Sequence, residues 1–178
     1  DDLSVFQRFD RKDATEDIKR RMHVCRTRVH AWGRINRIAF APSKEYVAVI
    51  HPILGESAFF KLLGCLIDCK LTMDQAVDKI LSQVRPKIRA IERTQAHYNV
   101  KELISQFKTH VWSIMEVHNG GIFHSSNYLL EKFDSAQRHF LERIGVDEST
   151  AFIEHNFAPP SLRRNIGILG LLQKRVLL

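Results

Sequence analysis

Cysteine is scarce in this sequence: Cys25, Cys65 and Cys69 are the only three, and no two form a CxxC pair. An odd count without that spacing fits reduced thiols and excludes a disulfide framework or a zinc ribbon. No apolar run approaches the roughly 18 residues that cross a bilayer, and no signal-peptide pattern opens the chain. The expectation is a soluble, intracellular protein with no membrane partner. Nine histidines are present, yet none falls into the His-x-x-x-His spacing of a helical zinc site, and His118-x5-His124 is no known ligand pair. A Gly-rich phosphate loop and a GxSxG elbow are missing too, which removes nucleotide-cradling and serine-hydrolase readings. There is no internal repeat and no low-complexity tract.

What remains is a globular composition with a cationic bias. The 178 residues are 44% hydrophobic, enough for one ordinary domain or a small and a medium subdomain. A formal charge of +7 and a pI near 9.5 favour phosphate backbones or anionic surfaces as partners. The sequence opens at Asp1-Asp2 without a methionine, which reads as a segment of a longer chain.

The first 71 residues mix two periodicities. Leu3 to Phe9 predicts a short strand. Asp13-Ala-Thr-Glu16 predicts a helix start, with Asp13 as N-cap and Glu16 closing a capping box. Ile18, Met22, Cys25, Val29 and Trp32 then form one apolar stripe opposite Lys19, Arg20, Arg26 and Arg28, and Gly33 is placed to end the helix. The stripe reads as core-facing and the basic face as solvated. Tyr46-Val-Ala-Val-Ile50 and Phe59 to Ile67 predict the two strands of a β-hairpin, with turn signals at Pro52 and Gly55.

From Met73 onward the pattern is helical. One helix is expected over Met73 to Gln95, with Pro86 as a kink or break. A second covers Val100 to His118, ended by Asn119-Gly-Gly121. A third runs from Asn127 to Ile144, stopped by Gly145. A fourth follows the Ala158-Pro-Pro160 break, with Leu162, Ile166, Leu169, Leu172 and Val176 in step. The predicted class is α+β and mostly α. Residues 1–71 form the mixed piece, 72–146 a helical bundle and 147–178 a C-terminal helical segment.

Three groups of residues can carry chemistry. Asp1 and Asp2, adjacent at a strand start, are oxygen ligands of the kind that hold divalent metals in two-metal phosphoryl transfer; an ordinary acidic pair is the alternative. Arg85, Arg89 and Arg93 recur every four residues with Lys87 and Lys79 nearby, a stripe suited to a phosphate backbone or simply a solvated face. Arg163 and Arg164, with Lys174 and Arg175, form a second basic group with the same two readings. Cys65 and Cys69 read as small buried residues.

The order of these features resembles the back of the palm and the thumb of a reverse transcriptase of the non-LTR-retrotransposon type. It runs from Asp-Asp through a strand, an amphipathic helix ending Arg28-Val-His-Ala-Trp-Gly33 and a Pro42-Ser-Lys44 loop to Phe60-Lys-Leu-Leu-Gly64. It continues through Phe107-Lys108-Thr-His110 with Glu116, Gln137 to Leu141 with Ile144-Gly145, and the tail Asn156 to Arg164 with Ile168-Leu-Gly170. The likeness covers nearly the whole chain. It implies a remnant of a polymerase palm (short strands, one helix, a hairpin) before a helical thumb bundle.

The resemblance also implies roles. Asp1 and Asp2 would be metal-site aspartates binding Mg²⁺ in the parent enzyme. Lys44 would be the active-site lysine, a possible proton donor to pyrophosphate, against a plain loop lysine. Phe60, Leu63 and Gly64 would shape the hairpin that grips the primer, against core packing for the two apolar residues; Gly64 lacks a Cβ and allows close backbone approach. The partners implied are an RNA template, a DNA primer and, for the parent, dNTP. A two-metal polymerase needs a further palm aspartate and a nucleotide-binding region, and Asp10, Asp13 or Asp17 cannot substitute. This chain alone is therefore expected to bind duplex without catalysis. The alternative is a non-catalytic, maturase- or splicing-like nucleic-acid-binding protein; a helical interaction module whose charge only aids solubility is the third.

Overall fold

The computed structural model describes residues 3–10, 12–51, 59–62 and 64–177. Asp1, Asp2, Leu63 and the predicted turn residues Pro52 and Gly55 lie outside them. Helices dominate, with one two-stranded antiparallel sheet, so the chain is α+β and mostly α. It divides into two compact units, Asp1–Val47 and Ala48–Leu178.

The first unit is built on α1, Thr15–Ile35. No strand forms over residues 3–10. The helix starts one residue later than expected and without a side-chain cap. The Asp13 carboxylate is committed elsewhere, accepting from the Asp10 N–H at 3.1 Å and from Arg21 at 2.8 Å. Of the predicted stripe, Ile18 is buried, whereas Trp32 stays half-exposed. Gly33 does not end the helix. The chain turns back after Asn36, the Ile38 N–H bonds to the Gly33 carbonyl at 2.8 Å, and Phe40 lies so close that a Cβ on Gly33 would sit 2.5 Å from its ring. The glycine is needed for this close approach. A single turn, Pro42–Lys44, follows.

The second unit opens with a hairpin that differs from the predicted one. Tyr46 to Ile50 forms no strand. Instead the Phe59–Ile67 run folds back on itself: β1, Phe59–Leu62, pairs with β2, Cys65–Asp68, in the register Phe60↔Ile67 and Leu62↔Cys65. Gly64 makes this possible, at φ +83°, where a side chain would be strained. His51 adds one backbone hydrogen bond, to the Cys69 carbonyl at 2.9 Å.

The link from β2 to the first helix of the bundle is held by one carboxylate. Asp68 accepts from the N–H groups of Lys70, Thr72 and Met73 at 3.0, 3.0 and 2.6 Å, and from the Thr72 hydroxyl at 3.3 Å. Burial pushes its pKa up, but these bonds outweigh it and hold the carboxyl below its ordinary value. They also hold Leu71 and Met73 at positive φ, a conformation that costs a non-glycine residue roughly 1–2 kcal/mol.

Helix α2, Asp74–Arg93, runs unbroken through Pro86. The proline ring is exposed and only the Ser82 carbonyl loses its partner, so solvent absorbs the loss. Ala76, Val77, Ile80, Leu81, Val84, Ile88 and Ile91 bury one face, each of the larger ones contributing about 1.5–3 kcal/mol. Helix α3, Val100–Phe107, starts in a capping box of Asn99 with Glu102. A π-helical turn, Lys108–Trp112, leads into α4, Ser113–Val117. As expected, the helix ends before Asn119-Gly-Gly121, and those residues open a separate short helix, α5, Asn119–Ile122.

Helix α6, Asn127–Ile144, ends at Gly145 with φ +72°, as predicted. Helix α7, Glu148–His155, was not apparent in the pattern, and α8 spans Pro160–Leu177. One continuous core joins Cys65 of the hairpin to residues of α2, α3, α6 and α7 and to Phe157. The hairpin therefore shares its core with the helices after it, and the boundary between the two compact units falls near residue 47.

Candidate nucleic-acid interface

Because α2 commits one face to the core, its other face is presented outward. Arg85, Arg89 and Arg93 all lie on that exposed side. At 3.6 residues per turn they step about 40° apart, so they form a shallow ladder along the axis. Among the described residues no carboxylate pairs with any of them; Arg93 donates only to the Arg89 carbonyl, at 3.3 Å. Lys87 is exposed too, but it sits roughly 160° round the helix from Arg89, on the opposite flank. The predicted group is thus three arginines in line and a separate lysine.

The acidic residue that precedes the ladder on the same line of α2 is neutralised. Asp78, two turns before Arg85, is paired at 3.0 Å with Lys132 of α6, whose ammonium also lies 5.5 Å from the Tyr128 ring centre. This contact pins α2 to α6 and removes a negative charge from the ladder's end.

Of the second basic group Arg164 is buried, Arg163 is half-buried and Lys174 is exposed. Arg164 is 7% exposed, and its guanidinium pairs with the buried Asp134 at 2.8 Å. The other Asp134 oxygen accepts the Ser161 N–H at 2.8 Å, at the start of α8. Arg163 pairs with Glu116 and lies 3.7 Å from the centre of the Trp112 ring. Both arginines lock α8 to α4 and α6, and their charges are already met. Of the predicted basic residues, these two differ most from the expectation.

Trp112 is the centre of that lock. Its other face stacks on Phe157 at 4.8 Å, and its indole N–H donates to Gln137 at 2.9 Å. Gln137 in turn donates to the Ala158 carbonyl at 3.1 Å, and Lys108 to the His155 carbonyl at 2.6 Å. Burial, helped by the charge of Arg163, lowers the Lys108 pKa. An open cleft of about 200 Å³ beside this lock is lined by Glu131, Asp134 and Glu148, with Arg138 bridging the two glutamates at 2.8 and 3.3 Å. Its acidic walls do not suit phosphate.

The hairpin presents Gly64 at its exposed turn and Phe60 half-buried. A Cβ on Gly64 would stand 3.7 Å from the His118 ring, leaving the turn's outer surface open. Beneath it Cys65 packs on Gly121 so closely that a Cβ there would meet its sulfur at 2.7 Å. Burial raises the Cys65 thiol and lowers His118; Lys79 lowers both. Cys65 is therefore a packed thiol, not a nucleophile.

Lys44 closes the single turn of the first unit and is exposed. Its neighbour Glu45 draws in Arg26 and His30, each at 2.7 Å. Asp1, Asp2 and Leu63 fall outside the described residues. Among the described residues no group of three His, Cys, Asp or Glu side chains could hold a cation, and no helix is long and apolar enough to cross a membrane. No family model, curated protein or solved structure matches the chain.

Proposed function

We propose that this chain is the late palm and thumb of a retrotransposon-type reverse transcriptase, and that its part in the reaction is to hold primer–template duplex. The observation that carries the reading is the line of unpaired arginines on the outward face of α2, on a helix made rigid by seven buried side chains. Such a line attracts phosphate through counterion release and gives register without reading bases. The ordered sequence features from Asp1-Asp2 to Ile168-Leu-Gly170 support the choice of family.

In the intact parent, Asp1 and Asp2 would hold Mg²⁺, which would supply charge neutralisation for the dNTP phosphates. Lys44 stands near the leaving pyrophosphate, where an exposed ammonium can give up a proton. Phe60, Leu63 and Gly64 steady the primer end, the bare Gly64 turn allowing close approach. Arg85, Arg89 and Arg93 bind backbone. Arg163 and Arg164 act indirectly, by fixing α8. By itself the chain would hold duplex without catalysis, since a two-metal polymerase also needs a nucleotide pocket and a further aspartate.

The test is primer extension by the parent on an RNA template. DNA synthesis that needs Mg²⁺ and is lost in Asp1→Asn supports the reading. A parent that binds the duplex yet incorporates no nucleotide, with Asp1→Asn changing nothing, overturns the enzymatic part.

A further inference from the structure

We infer that α2 lies along a single strand of a double-stranded nucleic acid, giving one guanidinium to each of three successive phosphates. This rests on the duplex-holding reading above and specifies how the site binds. Four helical residues rise about 6 Å, so Arg85, Arg89 and Arg93 repeat at about that interval over about 12 Å. Phosphates along one strand, rising about 3.4 Å per nucleotide and turning through about a tenth of a circle, stand about 6–7 Å apart. The two repeats match over three phosphates before the strand curves away. The 40° step between arginines turns the ladder gently, as the strand itself turns.

One further observation favours a paired strand. Helix α2 carries no aromatic residue, and single-strand sites rely on aromatic rings for bases to stack on. Bases in a duplex are already stacked on one another and need none. Asp78, which would repel a fourth phosphate, is tied to Lys132 at 3.0 Å; Glu92, half-buried on the core-side edge of α2, is the one negative charge within the ladder's span, and the three guanidinium groups outnumber it. Lys87, on the other flank, lies off the track, and Arg163 and Arg164 are spent on Glu116 and Asp134. Binding through phosphates alone carries no base preference.

The experiment measures the affinity of the full chain for a short blunt-ended duplex, and for one of its strands, across a salt series. For the duplex, log K against log[salt] should lose about 2.7 of its slope in Arg85→Gln/Arg89→Gln/Arg93→Gln, three times the roughly 0.9 per phosphate of B-DNA. Lys87→Gln should leave the slope unchanged. Glutamine keeps the helix propensity of these exposed positions, and circular dichroism confirms the fold. A second arm leaves the protein intact and makes every phosphate of the duplex a neutral methylphosphonate, which should remove the salt slope altogether. If the triple variant keeps its slope, or the single strand binds tighter, the strand-tracking proposal falls while nucleic-acid binding stands. If the wild-type chain binds neither probe, the functional reading falls with it.

Discussion

Arg164 and Asp134 face each other at 2.8 Å with both side chains less than a tenth exposed. Thirty residues separate them in sequence, and their contact holds the first turn of α8 on α6. Removing one member of a buried pair leaves the other charged and unmet, at a cost of about 3–5 kcal/mol. Asp134→Ala also frees the Ser161 N–H. Urea unfolding should put that loss on Asp134→Ala, against a change within about 0.5 kcal/mol for the exposed Arg85→Ala. Equal effects from the two would contradict the burial described above.

Phe157 fills the space among Phe107, Trp112 and Phe140, with ring centres 5.1, 4.8 and 6.4 Å away. Truncating such a ring costs about 3–5 kcal/mol. Phe157→Ala should therefore lower the unfolding midpoint far more than Phe152→Ala, whose ring is 45% exposed. Tryptophan fluorescence should shift to the red in the Phe157 variant as Trp112 loses its stacking partner.

Asp68 gives a pH signature. Its folded pKa is held below the unfolded value of about 3.9. The stabilisation it brings is therefore complete above that value and is lost as pH falls through the folded pKa. Asp68→Asn should be less stable than the wild type near neutrality, with the gap closing below about pH 4. A gap that stays constant across that window would mean the carboxylate's charge plays no part.

Gly121 and Cys65 are predicted to be coupled. A methyl at Gly121 would meet the Cys65 sulfur at 2.7 Å; overpacking of this kind costs about 1–3 kcal/mol. Gly121→Ala should destabilise, and Cys65→Ala in the same molecule should restore part of the loss. Simple additivity in the double-mutant cycle would place the two side chains out of contact.

The parts of the fold visible in the sequence are those whose burial follows a regular period. The stripe from Val77 to Ile91 marks α2, and Gly145 marks the end of α6 through its positive φ. The hairpin is hard to place from sequence because Tyr46 to Ile50 is rich in β-branched residues yet forms no strand, while a glycine inside a continuous apolar run is where the chain reverses. Helix α7 escaped notice because only Ala151 of its eight residues is buried, leaving the Asp147 cap as its sole signal. The arginine ladder on α2 is local and could be read from spacing. The fate of Arg163 and Arg164 could not, because their acidic partners Glu116 and Asp134 arrive from 47 and 30 residues away.

The wide turn at Lys108–Trp112 explains how one rod satisfies two neighbours. Phe107 and Trp112, five positions apart, diverge by about 140° in a regular α-helix, yet both rest against Phe157. Excising one residue of that turn would let the rod relax to a standard pitch with Phe107 and Trp112 only about 40° apart, so the downstream register is largely kept. One residue more would instead rotate everything downstream by about 100°, swinging Met115 out of the core and Glu116 away from Arg163, so this stretch tolerates a deletion better than an insertion.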